Sequence, residues 1–121
     1  MKQSLAQQRA TNALNAARIA GMGHGQDGGN ALSGFPMLIK NDGALASFAF
    51  AVERKPSKEF KQRGAYLIVE AIATHLQSLG IVDAQNADDL VDELARGDSA
   101  LLRRATAEGL GFLNYLKRFV A

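Results

Sequence analysis

The chain has 121 residues, 47% of them apolar and none of them cysteine, so one ordinary domain can bury a core without covalent staples. Disulfide scaffolds and thiolate metal sites are excluded, which suits a reducing cytoplasm. The formal net charge of +2 hides a division: residues 83–98 carry six acids against Arg96, or −5, while the rest carry thirteen bases and six acids, or +7. A chain polarised in this way can offer a basic surface to phosphates and an acidic one to a basic protein. No apolar run approaches a membrane span and the start lacks the apolar segment of a secretory signal, so a soluble, cytoplasmic protein is expected, with no membrane partner.

The spacing predicts a first helix from about Ser4 to Ala20. Its alanines, Leu5, Leu14 and Ile19 should face inward, with Gln8, Arg9, Asn12, Asn15 and Arg18 outward or at the edge. Residues 21–30 hold five glycines and are expected to form a flexible loop. Pro36 suits the first turn of a second helix, where its missing N–H costs nothing. Lys40-Asn41-Asp42-Gly43 then supplies a stop and a restart for the backbone, a tight polar elbow between two buried helices. Beyond it, Leu45, Phe48, Ala49 and Val52 repeat at helical spacing, and Ala44, Ala46, Phe50 and Ala51 leave almost no polar face. A helix of that kind is expected to be surrounded by protein, the central rod of the core.

Ser57 can cap a long fourth helix whose apolar face reads Phe60, Leu67, Ile68, Ala71, Ile72, Leu76 and Leu79, stopped by Gly80. Asn86, followed by Asp88 and Asp89, starts an acidic helix carrying Leu90, Val91 and Leu94 and closed by Gly97, since carboxylates favour the positive helix start. Ser99 opens the last helix, with Leu102, Ala105, Gly109, Phe112, Leu113, Leu116 and Val120 along one stripe. Arg103, Arg104, Ala107, Gly111, Asn114 and Arg118 lie opposite. No useful period-two alternation occurs, so the fold class expected is all-α: a compact single-domain bundle of about six helices spanning 1–121, without a sheet.

Several of these segments, in order, resemble one family. Pro36, Ile39, Gly43, Leu45, Ala49 and Phe50 keep the skeleton of its Pro-x-hydrophobic-Ile-x-x-Asn-Gly-Leu pattern and the run that follows, with Asp42 in place of Asn. Gln8-Arg9-Ala10 and Ala13-Leu14 resemble its opening helix. Leu113-Asn114-Tyr115-Leu116-Lys117-Arg118-Phe119 resembles its closing signature, with Tyr115 in place of Trp. The family is the fifth, small all-helical subunit of the Cmr complex, the type III-B CRISPR effector that captures RNA. The resemblance covers most of the chain except the glycine loop and the acidic helix. It implies a non-catalytic subunit whose copies stack into a minor filament beside the guide-holding backbone and form a basic channel for target RNA, in antiviral defence. Its partners would be other Cmr subunits, copies of itself, and guide and target RNA.

Enzymatic alternatives find little support. Asp88-Asp89-Leu-Val-Asp92 spells an acidic signature used by some terpenoid synthases for magnesium pyrophosphate, but a second metal motif and a chain long enough for a deep cavity are absent. The same residues make an ordinary solvated helix start. His24 and His75 have no third histidine or cysteine to complete a zinc set, and His75, at helical spacing from Ala71 and Ile72, reads as a histidine on the rim of the core. Gly21, Gly23 and Gly25 follow a helix and lack a Gly-Lys-Ser/Thr ending, so they are no phosphate loop. Ser33 sits in no nucleophile elbow. No cofactor, metal or catalytic residue is expected.

The cations carry more. Arg54, Lys55, Lys58, Lys61 and Arg63 lie close together around a predicted helix start. Arg104 and Arg118 lie about 21 Å apart along one face of the last helix. Ala107 and Gly111 form a low floor between them, and Gly109 and Gly111 suit a close approach by a neighbour. Lysine and arginine can neutralise phosphates without reading bases, as guide pairing would require. The expected phosphate contacts are Lys40, Arg54, Lys58, Lys61, Arg104, Lys117 and Arg118, with Arg9 and Arg18 behind them. The rival reading is a helical adaptor that binds only protein, through the acidic helix and the Ala107/Gly111 face.

Overall fold

The computed structural model describes residues 3–23, 31–53 and 60–120, without the side chains of 60–63. Among these residues it has six α-helices and no strand: α1 (Leu5–Ala17), α2 (Ala31–Asp42), α3 (Ala44–Glu53), α4 (Phe60–Ser78), α5 (Ala87–Arg96) and α6 (Ser99–Phe119). No helix of the described residues is long and apolar enough to cross a membrane.

Helix ends fall where polar side chains can take up orphan backbone groups. Ser4 and Gln7 close a reciprocal capping box at the start of α1. Asn86 Oδ1 accepts from Asp89 N at 2.8 Å at the start of α5, and Asp98 Oδ1 accepts from Leu101 N at 2.8 Å at the start of α6, which opens at Ser99 as expected. At the end of α4, Ile81 N donates to Leu76 O and Gly80 N to Gln77 O, the paired bonds of a Schellman stop. The elbow forms as expected: α2 ends at Asp42, α3 begins at Ala44, and Gly43 between them adopts φ 89°. Its carbonyl accepts from both Ser47 N and Ser47 Oγ, which lets Ser47 lie buried inside α3.

Pro36 is not in a first turn. Ala31–Phe35 already form helix before it, so Pro36 sits inside α2 and withholds the N–H that Leu32 O would otherwise accept. The expected flexible loop of 21–30 begins with packed residues: Met22 is buried, and Gly23 O accepts from Leu32 N at 2.7 Å. Residues 24–30, with His24, lie outside the described residues, as does Ser57.

The rod at the centre is α4, which packs against all five other helices. Ile68, Val69, Ile72 and Leu76 are fully buried along it, against Phe48 of α3, Leu90 of α5 and Phe112, Leu113 and Leu116 of α6. Phe35 and Phe48 stack at 6.3 Å across the elbow. The expectation that α3 is enclosed is corrected. It buries Ala44, Ser47, Phe48 and Ala51, whereas Ala46 is exposed and Phe50 is 40% exposed. An all-apolar sequence gives no periodicity by which to choose a face, and packing supplies neighbours on one side only.

α1 lies across α6 and α4, and α5 packs chiefly against α3 and α4. Of the alanines of α1, Ala13 and Ala16 are buried as expected, whereas Ala6 is exposed. Its leucines do not turn inward, Leu5 and Leu14 being each 45% exposed, and Ile19, expected within the helix, lies past its end at Ala17 and is 48% exposed. Arg9 and Asn12 take the inward places instead, for a reason found in the helices beneath.

Candidate functional site

The inner face of α1 meets a buried polar cluster. Glu108 belongs to the apolar stripe of α6, four residues before Phe112 and three after Ala105, and is almost wholly buried. His75, on the face of α4 that turns toward it, is 0% exposed, and its ring stacks on Phe112 at 4.6 Å. The expectation of a histidine on the rim is thus corrected. Buried polar groups need partners, and α1 supplies them. Arg9 Nε donates to Glu108 Oε2 at 2.7 Å and Arg9 Nη2 donates to Glu108 Oε1 at 2.8 Å, a bidentate fork. His75 Nε2 lies 2.9 Å from Glu108 Oε2, and Asn12 Nδ2 lies 2.8 Å from His75 Nδ1 and donates to Ser78 Oγ at 3.0 Å. These pairings turn Arg9 and Asn12 inward and leave leucines outside.

The fork also explains a glycine. A Cβ on Gly111 would stand 2.9 Å from Arg9 Cζ, so the guanidinium lies where a side chain would be. The close approach expected at Gly111 is by a side chain of α1, and Arg9 covers that part of the floor of α6. Gly109 leaves ordinary contact distance to Ile72 and Phe48.

Electrostatics follow from burial and pairing. The Glu108 hydrogen bond holds the Arg9 pKa above its ordinary value. Burial pushes the Glu108 carboxyl up, but the hydrogen bonds from Arg9 and His75, with the Arg9 charge, outweigh it and hold it below the usual carboxylate value. Burial pushes His75 down, against the opposing pull of Glu108. Glu108 therefore stays an acceptor and His75 a neutral ring.

The cations expected to meet RNA are placed as follows. Arg9 is committed to Glu108. Arg104 is exposed and shares a hollow with Arg9, floored by Leu5, Leu79 and Ile81. Lys117 and Arg118 are exposed in the last turn of α6 and line a second open hollow with Leu32 and Ser33 of α2. Lys117 follows Arg104 by thirteen positions, about 20 Å along the axis of α6. Lys40 is exposed in the last turn of α2, and Arg18 caps the end of α1. Lys40, Arg18, Arg104, Lys117 and Arg118 make no ion pair with another described residue. Arg54 and Lys58 lie outside the described residues, as does the side chain of Lys61.

The acidic segment is put to structural use. Glu93 accepts from Asp83 N and Ala84 N, Asp92 pairs with Arg96 at 2.8 Å, and Glu70 Oε1 accepts from Ala87 N at 2.6 Å. Among the described residues no group of three or more histidine or acidic side chains is arranged to hold a metal ion. Sequence reasoning passed over Glu108. Its signal was present: a lone carboxylate in the inward register of an apolar helix, which buries only with a cationic partner.

The comparison with known families gives the class as CRISPR-associated proteins. Residues 5–121 match the family model described as CRISPR-associated protein (Cas_Cmr5), and the chain belongs to that family. It is thus a small subunit of a type III-B CRISPR Cmr complex and associates with the other Cmr subunits. Comparison with curated proteins and with solved structures gave no significant match.

Proposed function

We propose that this Cmr subunit is non-catalytic and touches the target-RNA backbone through exposed cations, several copies stacking into a minor filament during cytoplasmic antiviral defence. The observation that carries the reading is the Lys117/Arg118 pair. Both side chains are exposed side by side, without a carboxylate partner among the described residues, facing the first turn of α2. A sugar-phosphate strand needs that chemistry, positive charge without base readout. Lys40, Arg104 and Arg18 extend it, and Arg54, Lys58 and Lys61 join them by sequence position. Arg9 serves from behind, by fixing α1 beside Arg104. The carboxylates support a passive role, since Glu70, Asp92, Glu93, Asp98 and Glu108 are each engaged with a protein donor.

The test is RNA binding by the assembled complex across a salt series, with and without Lys117→Ala/Arg118→Ala. Two lost phosphate contacts should weaken binding and flatten the log–log salt slope by about 1.4. An unchanged slope and affinity would favour the protein-only adaptor. That adaptor would use the acidic α5, where Asp89 and Asp92 are exposed, since Arg9 already covers Gly111.

A further inference from the structure

α1 is attached in an unusual way. The residues it buries are Ala13 and Ala16, its leucines are half exposed, and its specific holds on the body are Arg9 on Glu108 and Asn12 on His75 and Ser78. Such a helix is a strap closed by polar clasps more than by apolar burial.

The clasp is wired for one protonation state. Glu108, ionised beside Arg9, can only accept, so His75 Nε2 carries the ring hydrogen. His75 Nδ1 is then an acceptor, and it faces the Asn12 amide N–H at 2.8 Å. The other Asn12 N–H goes to Ser78 Oγ, whose own hydrogen goes to His75 O at 2.7 Å. Each donor meets an acceptor. A second ring proton, on Nδ1, would set two N–H groups against each other beside a ring that is itself 0% exposed. Turning the Asn12 amide over would relieve this only if Ser78 gave up its bond to His75 O.

We propose that this chain of bonds is an acid-sensitive latch: neutral His75 clasps α1 to α4 and α6, and protonation of His75 releases the strap. The groups that face the ring are known from each side. Glu108 of α6 favours the charged ring; Arg9 of α1 and burial oppose it, burial being the larger effect. Glu70 of α4 lines the hollow beside it but gives Oε1 to Ala87 N. No charged group of α2, α3 or α5 acts on the ring among the described residues.

The sign follows from linkage. A histidine whose pKa is lowered in the closed state takes its proton more readily once the strap is open. The grip is complete above the ordinary histidine value of about 6.5 and weakens as pH falls below it. Glu108 titrates only below the usual carboxylate range, so pH 5.5 isolates the histidine.

The experiment is amide hydrogen exchange on the full chain at pH 7.5 and 5.5, corrected for intrinsic rates, with 15N chemical shifts of the His75 ring. The opening constant for Ala13–Ala17 should rise at pH 5.5, by at most about tenfold, while α4 keeps its protection. The ring should be the neutral Nε2–H tautomer at pH 7.5. His75→Gln, neutral at both values, should abolish the difference in α1. Equal α1 protection in the native chain at both pH values, or an imidazolium at pH 7.5, would overturn the proposal, and both readings stand even if the variant does not fold.

Discussion

Glu108 is the residue on which the interior polar chemistry turns. Replacing it with alanine leaves Arg9 and His75 without their acceptor inside the fold. Breaking a buried pair costs about 3–5 kcal/mol, and the lower figure is expected because Arg9 keeps one side toward water. Denaturant unfolding should show it as a lower midpoint at unchanged slope. Gly111 offers a sharper test, because the same substitution should change sign with its neighbour. Alanine gains about 1 kcal/mol over glycine in a helix, but here its Cβ pushes the guanidinium off a charge-assisted fork, and Gly111→Ala should be net destabilising by about 1 kcal/mol. In an Arg9→Met background the fork is gone and Gly111→Ala should stabilise, which a double-mutant cycle measures directly. Of this site the sequence displayed only hints. Gly111 was legible as a place of close approach and Glu108 as a stray charge in an apolar stripe. That Arg9, 99 positions away, answers both is a fact of tertiary geometry.

At the scale of elements, boundaries were legible where local chemistry sets them. Ser4, Gly43, Gly80, Asn86 and Gly97 each end or begin a helix through a bond within a few residues. Gly43 is the clearest case. Its φ of 89° disfavours any side chain, yet a Cβ there would meet nothing within 4 Å. Gly43→Ala should therefore lose about 1 kcal/mol from backbone strain alone, seen as a lower melting temperature, with Gly43→Asn losing less. The faces of helices were less legible. In α1 the leucines pointed the reading one way and the partners of Glu108 and His75 turned it the other, because an unpaired buried charge costs more than a half-exposed leucine gains. In α3 nearly every position is apolar, so the sequence could not say which side would be covered. Pro36 shows the same limit: a proline tolerated in a first turn is also tolerated deeper when the helix around it is held by packing.

At the scale of the whole molecule, charge is sorted by element: α5 carries the acids on the flank of α3 and α4, while α2 and α6 present cations at their ends. Under the proposed function, RNA affinity is shared among copies, so the isolated subunit should bind feebly and each seated copy should steepen the salt dependence by a similar increment. Titrating the subunit into complexes of differing copy number, at two salt concentrations, checks it. The all-α class, the elbow, the Asn86 cap, the polarised charge and the family were determined by the sequence alone, because each is written in spacing or in neighbours a few residues apart. Tertiary structure alone decided that α4 is the central rod, that α1 presents arginine and asparagine inward, and that His75 lies sealed beside Glu108. Those outcomes depend on which distant groups must be paired once water is gone, and a linear reading carries no distance between them.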